Sequence, residues 1–404
     1  MPDGALEGIE VVELGQMVSA PYCAKLFSDF GADVVKVEAP ESGDLARRWG
    51  PFPGDEPHPE KSGLFHFLNT NKRGITLDVS TGAGHEVLLQ LLARADVLIE
   101  NNPPAQMRNL GLDYATLEQV NPNLVMVSIT PYGQTGPCSD WKGYDLNAFH
   151  FSGASHRYCG RPGEAPLEHG TFAADFYGAA AAATWGLAVT LGRERVGGGQ
   201  QVDVSCAEAI AATFVGAQNI GAYAQGGVFE TRTGVGMPFC APATILPCKD
   251  GHVWALAIEP GQWKGLVEVM GNPEWAQVEM FEDMFVRGQN PDIIYPLVQE
   301  WTLQHGKFEI MERCQAVGCP VTAVLTVEEA IEHPHLRERG YIVELEHPEL
   351  GRVASLGPPF KLPESPGGPR EPAPLLGQHN DHIYGDRLGM SADERARLRA
   401  DGII

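Results

Sequence analysis

Asp175 stands directly ahead of a run of small residues, 176–192 (FYGAAAAATWGLAVTLG), that reads as a helix. A carboxylate beside the positive end of a helix dipole is favoured in its ionised form, so its pKa is expected to be lowered. Such a group is either a nucleophile or an N-cap, and the residues alone leave both open. A second feature is the connection Gly15-Gln16-Met17-Val18-Ser19-Ala20, between a strand and a helix. Backbone N–H groups in such a turn can stabilise an oxyanion, or the segment is a plain βα loop. Asn101 lies at the end of another strand, on the edge where parallel sheets usually hold ligands. No Gly-rich dinucleotide fingerprint, Walker loop, His-Glu-x-x-His, zinc spacing or Gly-x-Ser-x-Gly elbow is present. No metal site is expected, and Cys314 and Cys319 read as buried thiols rather than ligands.

The elements that would position these residues alternate. Apolar runs at 9–14, 33–38, 74–79, 96–100 and 124–130 read as strands. Helical segments at 22–30, 84–94 and 114–120 separate them. This βαβ rhythm predicts an α/β fold with a mostly parallel, doubly wound sheet. A further strand at 201–204 and a helix at 207–224 follow the small-residue helix. The rhythm changes near residue 228. Residues 243–247 and 253–258 read as a hairpin turning through Lys249-Asp250-Gly251. Helices near 261–270, 293–302 and 307–317 complete a smaller α+β domain. Residues 339–376 are Pro-rich and read as extended. Ser391 and Glu394 form a capping-box start for a last helix. The expected division is 1–227, 228–335 and 336–404.

Composition narrows the function. The 404 residues are 43% hydrophobic and 20% charged, which describes an ordinary globular chain. Acidic residues outnumber basic ones by 52 to 29, for a formal charge of −23. That argues against nucleic-acid or anionic-membrane binding, which need clustered Lys and Arg. The longest apolar run is too short and too rich in small residues for a bilayer span. No signal peptide is visible, and the eight cysteines lack any Cys-x-x-Cys. A cytoplasmic, thiol-containing protein is expected.

Several strings, in order, resemble the class III CoA-transferase family, the group of formyl-CoA transferase and carnitine CoA-transferase. Alpha-methylacyl-CoA racemase shares the superfamily. The strings are LEGIEVVELGQMVSAPYCAKLFSDFGADVVKVE, SGD at 42–44, NKRGITLD at 71–78, DVLIEN at 96–101 and KGYD at 142–145. AADFYGAAAAATWGLAVTLGRERVGGGQQVDVS at 173–205, CKDGHVWALAIEP at 248–260 and PLLGQHND follow. The resemblance covers nearly the whole chain. It implies a Rossmann-like large domain, a smaller domain, a C-terminal segment returning to the large one, and an interlocked homodimer.

It also implies chemistry. Asp175 occupies the family's catalytic position, and its carboxylate would attack a thioester to give a mixed anhydride and then an aspartyl-CoA thioester. Gln16, Met17, Val18 and Ser19 would lie near that thioester. The phosphates of coenzyme A would need a local basic patch. Candidates are Asn71, Lys72 and Arg73, then Lys142 and Tyr144, then Arg47 and Arg48, with Asn101 on the ligand edge. In ENNPPAQMRNLG the chain departs from the family: Arg108 is shifted one place and Asn109 holds the usual Arg position. The expected substrates are an acyl-CoA donor and a carboxylic acid acceptor, with no tightly bound cofactor.

Two other readings remain open. Racemisation needs a base on each face of the α-carbon. The racemase branch has His where this chain has Tyr144, and a phenol with a pKa near ~10 is a poor base at neutral pH. Glu259 matches a racemase-branch residue, and His150 is a nearby candidate to replace the missing His. A catalytically silent acyl-CoA-binding paralogue is the third reading.

Overall fold

The computed structural model describes residues 4–213, 220–229, 231–232, 237 and 239–404. Contacts divide the chain into two compact units. One comprises Met1–Cys159, Leu167–Glu230 and Arg337–Ile404; the other comprises Gly160–Pro166 and Thr231–Leu336.

The first unit is built on six strands. They are β1 (Glu10–Leu14), β2 (Asp33–Glu38), β3 (Arg73–Thr76), β4 (Val97–Glu100), β5 (Val125–Thr130) and β6 (Gln201–Ser205). All neighbours pair in parallel, in the order β3-β2-β1-β4-β5-β6. Their near-continuous apolar sequences follow from burial on both faces. Successive side chains point to opposite faces. Val11, Val34, Val97, Val125 and Val127 therefore enter one core layer. Val12, Val35, Leu98 and Met126 enter the other.

Helices cover both layers. α1 (Ser19–Ser28) and the later α4 (Ala173–Val196) close the first. α2 (Gly82–Leu92) closes the second, together with Ile383, Tyr384, Ile403 and Ile404. α3 (Asp145–Phe151) and α5 (Cys206–Ile210) lie beside α4. The glycines of α4 explain its composition. A Cβ on Gly178 would stand 2.6 Å from Cys206 Sγ, and one on Gly186 would stand 2.9 Å from Val127 Cγ2. α4 runs four residues further at its C-terminus than the small-residue run and ends at Gly197, a left-handed cap.

Order reverses between β1 and β4, so loops on either side of that point splay apart and leave a crevice at the carboxyl ends of the strands. The free edge of β3 is covered by the C-terminal segment. The Thr76 N–H donates to Asn380 Oδ1 at 2.9 Å, and Tyr384 Oη donates to the Thr76 carbonyl at 2.6 Å.

The Pro-rich stretch is not simply extended. Ile342–His347 and Gly351–Leu356 form an antiparallel hairpin, because IVELEH and GRVASL each supply strand-forming residues around a tight connection.

In the second unit, Ala243–Cys248, Gly251–Leu256 and Val321–Ala323 form an antiparallel sheet. The helices Pro260–Val269, Pro291–Thr302 and Lys307–Ala316 contribute Trp263, Leu266, Ile294, Val298, Ile310 and Cys314 to its core. The buried Arg287 guanidinium donates to the carbonyls of Ala241 and Ala257, at 2.6 and 2.9 Å, and stacks on Trp263.

Candidate active site

A cleft of about 850 Å³ runs along the carboxyl edge of the parallel sheet. Gln16, Ala39, Asp78, Asn101, Lys142 and Tyr144 are among its walls. Leu14, Gly15 and Gln16 form part of its floor, and the loop from Leu14 to Ser19 is gripped from several directions. Asn101 accepts from the Gln16 N–H at 3.0 Å and donates to the Gln16 carbonyl and to Ser19 Oγ. Asn102 donates to the Leu14 carbonyl, and Lys36 Nζ to the Gly15 carbonyl. The Met17 N–H donates to Asp44 Oδ1 at 2.8 Å. Met17 has φ of +63°, a left-handed conformation that costs a non-glycine residue on the order of 1 kcal/mol and persists only when neighbours enforce it.

The N–H groups of Gln16 and Met17 are already engaged within the protein, so they are not open oxyanion donors. Val18 and Ser19 are buried rather than facing the cleft. Gln16 alone of the four lines it.

The Asp44 that holds Met17 belongs to a buried ionic network. Lys36 Nζ lies 2.7 Å from Glu13 and 2.8 Å from Asp44; Lys72 Nζ lies 2.7 Å from the other Glu13 oxygen. Burial alone would depress Lys36, but Asp44, Glu13 and Glu38 together raise it above its usual value. Lys72 goes the other way: burial pulls it down to about 8 despite Glu13.

Lys72 is therefore not a phosphate ligand in this arrangement. It also donates to the Pro21 carbonyl and to Asn69, which leaves it enclosed. Asn71 ties Asp29 to the C-terminal segment through Gly368, Arg370 and Glu371. Arg73 begins β3 and pairs with Asp33, the first residue of β2, at the sheet edge opposite the cleft. Arg47 is buried in a two-pronged pair with Glu38, 2.6 and 2.8 Å, beneath Phe65. These cations are engaged within the fold rather than facing the cleft. Among the described residues, Lys142 is the one Lys or Arg lining the cleft.

Asp175 is the third residue of α4, not its N-cap; that position is Phe172, whose side chain makes no cap. The Asp175 N–H donates to Asp145 Oδ1 at 3.0 Å, and Cys206 Sγ lies 4.0 Å from Asp175 Oδ1. Asp145 is the first residue of α3 and directly follows the cleft residue Tyr144. The structure thus connects Asp175 to the cleft rim through one hydrogen bond and one peptide unit.

The direction of the Asp175 shift is opposite to the expected one. Loss of water around the carboxyl, and the like charge of Asp145, push it up to about 7. The helix N-terminus does not compensate, because Asp145 already accepts from its first turn. Asp145 is itself raised, chiefly by burial.

The sequence pointed to Asp175 and Tyr144 but missed Asp145, Cys206, Asn102 and the Glu13–Lys36–Asp44 network. A signal existed for the network: charged residues inside apolar parallel strands, as in EVVEL and DVVKVE, require burial with a partner. His150, the candidate base near Tyr144, has its Nδ1 hydrogen-bonded to Ser155 Oγ at 2.8 Å, which leaves Nε2 without a role assigned by this contact. Glu259 belongs to the second unit, where it precedes the helix Pro260–Val269 and its N–H donates to Gln262 Oε1.

A doubly wound parallel sheet with a cleft at its switch point is the arrangement in which open α/β sheets hold their ligands. The model of CoA-transferase family III matches residues 6–380, and the chain belongs to that family. It is 31% identical to the succinyl-CoA–D-citramalate CoA-transferase of Chloroflexus aurantiacus, over 100% of this chain and 99% of that one. It is also 31% identical to the formyl-CoA:oxalate CoA-transferase of Rhodopseudomonas palustris, over 99% and 97%. A CAIB/BAIF family protein from Brucella suis superposes with a TM-score of 0.84 at 29% identity, covering 95% of this chain and 99% of that one. The protein is accordingly a family III CoA-transferase, acting on CoA thioesters and carboxylic acids. No helix among the described residues is long and apolar enough to cross a membrane.

Proposed function

We propose that this enzyme moves coenzyme A from an acyl-CoA to a free carboxylic acid through covalent intermediates on Asp175. The observation that carries the reading is a carboxyl with no cationic partner in the described network, raised to about 7, on a residue whose backbone N–H donates to Asp145, the residue after the cleft-lining Tyr144. A group of that pKa is partly ionised at neutral pH and retains basicity for attack.

The ionised carboxylate attacks the thioester carbonyl. The C–S bond breaks, CoA leaves as thiolate, and a mixed anhydride joins the acyl group to Asp175. The thiolate then attacks the aspartyl carbonyl, releasing the donor carboxylate and leaving an aspartyl-CoA thioester. The acceptor carboxylate attacks that thioester and again displaces thiolate, forming a second anhydride. Thiolate attack on the acceptor acyl carbon gives the new acyl-CoA and restores Asp175. No net proton transfer is required.

This route predicts parallel lines in double-reciprocal plots of initial rate against donor at several acceptor concentrations. Intersecting lines would contradict it. Uptake of solvent deuterium at the α-carbon, without acceptor, would favour the epimerase reading instead.

A homodimer is part of the proposal. Trp185, Leu191 and Val196 on α4 are 63, 70 and 68% exposed, an apolar surface that favours a protein partner. Sedimentation as a monomer at micromolar concentration would contradict it.

A further inference from the structure

The cleft crosses the carboxyl edge from β5 to β3. At roughly 4.8 Å between strands, four spacings span about 19 Å. It is therefore long enough for an extended pantetheine arm, a diphosphate and the start of a nucleoside. Its two ends differ in charge. The Asp175 end has Lys142 and Tyr144 on its wall. The far end, beyond β2 and β3, is formed by Ala39, Leu77, Asp78, Val79 and Ser80. The Asp78 carboxylate accepts from the Ser80 N–H at 3.0 Å and from Ser80 Oγ at 2.6 Å, and among the described residues no cation is paired with it. The other acidic walls are neutralised: Glu38 by Arg47, Asp44 by Lys36 and Asp140 by Arg108.

A phosphate dianion at the far end meets a carboxylate and neutral groups, and gains no pairing energy. A diphosphate nearer the acyl end comes within reach of Lys142, a flexible point charge well suited to phosphate oxygens. We propose that Lys142, the one Lys or Arg among the described residues of the cleft wall, reads the charge of the carrier through its diphosphate, and that the 3′-phosphate is not read. Thioesters of dephospho-CoA then serve as well as those of CoA. The inference rests on the reading that the thioester lies in this cleft with its acyl end toward Asp175.

The test uses free CoA, dephospho-CoA and pantetheine as probes, with dissociation constants from calorimetry on the whole protein. Expected are CoA and dephospho-CoA within fivefold of each other, and pantetheine weaker than both. Lys142→Ala should weaken CoA and dephospho-CoA equally and by more than fivefold, leave pantetheine unchanged, and be reversed in Lys142→Arg. A preference for CoA over dephospho-CoA beyond fivefold would overturn the proposal. So would unaltered CoA affinity in Lys142→Ala. Hydroxylamine trapping on the same preparation separates the two readings. CoA binding without a mark on Asp175 removes the covalent route and leaves carrier recognition standing. Failure of CoA to bind removes both.

Discussion

Two groups of buried carboxylates face the same sheet edge with opposite chemistry. Glu13, Glu38 and Asp44 each have a cation within 2.8 Å. Asp175 and Asp145 have each other, two backbone N–H donors, a thiol and His169 near Asp145, but no Lys or Arg paired with them among the described contacts. Paired charges in the first group are fixed and fasten the Met17 loop. The second group leaves one carboxyl raised to about 7. In the proposed reading it is burial without an ion pair, near a cleft, rather than burial alone, that singles out the nucleophile. Glu100 sharpens the contrast. It is also pushed up to about 7 by burial, but it is wholly enclosed at the end of β4, where it accepts from the Asn102 N–H.

The largest expected effect breaks the second group. Asp175→Ala should lower CoA transfer by at least about 10³-fold, since removal of a covalent nucleophile deletes the pathway rather than one contact. CoA affinity, measured by calorimetry, should stay within a few-fold. Retained transfer would contradict the role of Asp175.

Next comes the first group. Lys36→Met leaves Glu13 and Asp44 without their shared cation and should destabilise the fold by about 3–5 kcal/mol. Urea unfolding checks this. A loss below about 1 kcal/mol would mean that the network adds little.

The same unfolding measurement should give the opposite sign at Asp175. Its folded pKa lies above the unfolded one, so the folded state binds more protons between about pH 4 and 7. Stability from this group is present at low pH and is lost as pH rises through 7. Asp175→Asn should therefore be more stable than the parent at pH 8, and the gain should shrink by pH 5. A destabilised variant at pH 8 would mean that the carboxylate is paired after all.

The smallest effect is a shift of profile. Asp145→Asn removes the like charge but keeps an oxygen to accept from the Asp175 N–H. The pH at which Asp175 becomes reactive, followed by the rate of hydroxylamine capture, should move below about 7. An unmoved profile would assign the raised value to burial alone.

Much of this frame was legible in the residues. Apolar strands such as VMVSIT and the small-residue helix fixed the layers, because a doubly buried strand and a close helix contact each demand a particular composition. The charge sites were less legible. NKR looked like a phosphate patch, yet Lys72 is enclosed by Glu13 and Arg73 sits at the opposite sheet edge. Sequence records a charge but not its partner, and partners here come from strands tens of residues away. The same reason hid the direction of the Asp175 shift: the dipole is local and readable, whereas Asp145 lies 30 positions upstream.

The most direct measurement is intact-protein mass spectrometry after incubation with a panel of acyl-CoA esters and then hydroxylamine, with peptide mapping of any modified species. A hydroxamate on Asp175 is expected with at least one ester, absent in Asp175→Ala. Transfer that proceeds with no mark, or with a mark on another residue, would contradict it.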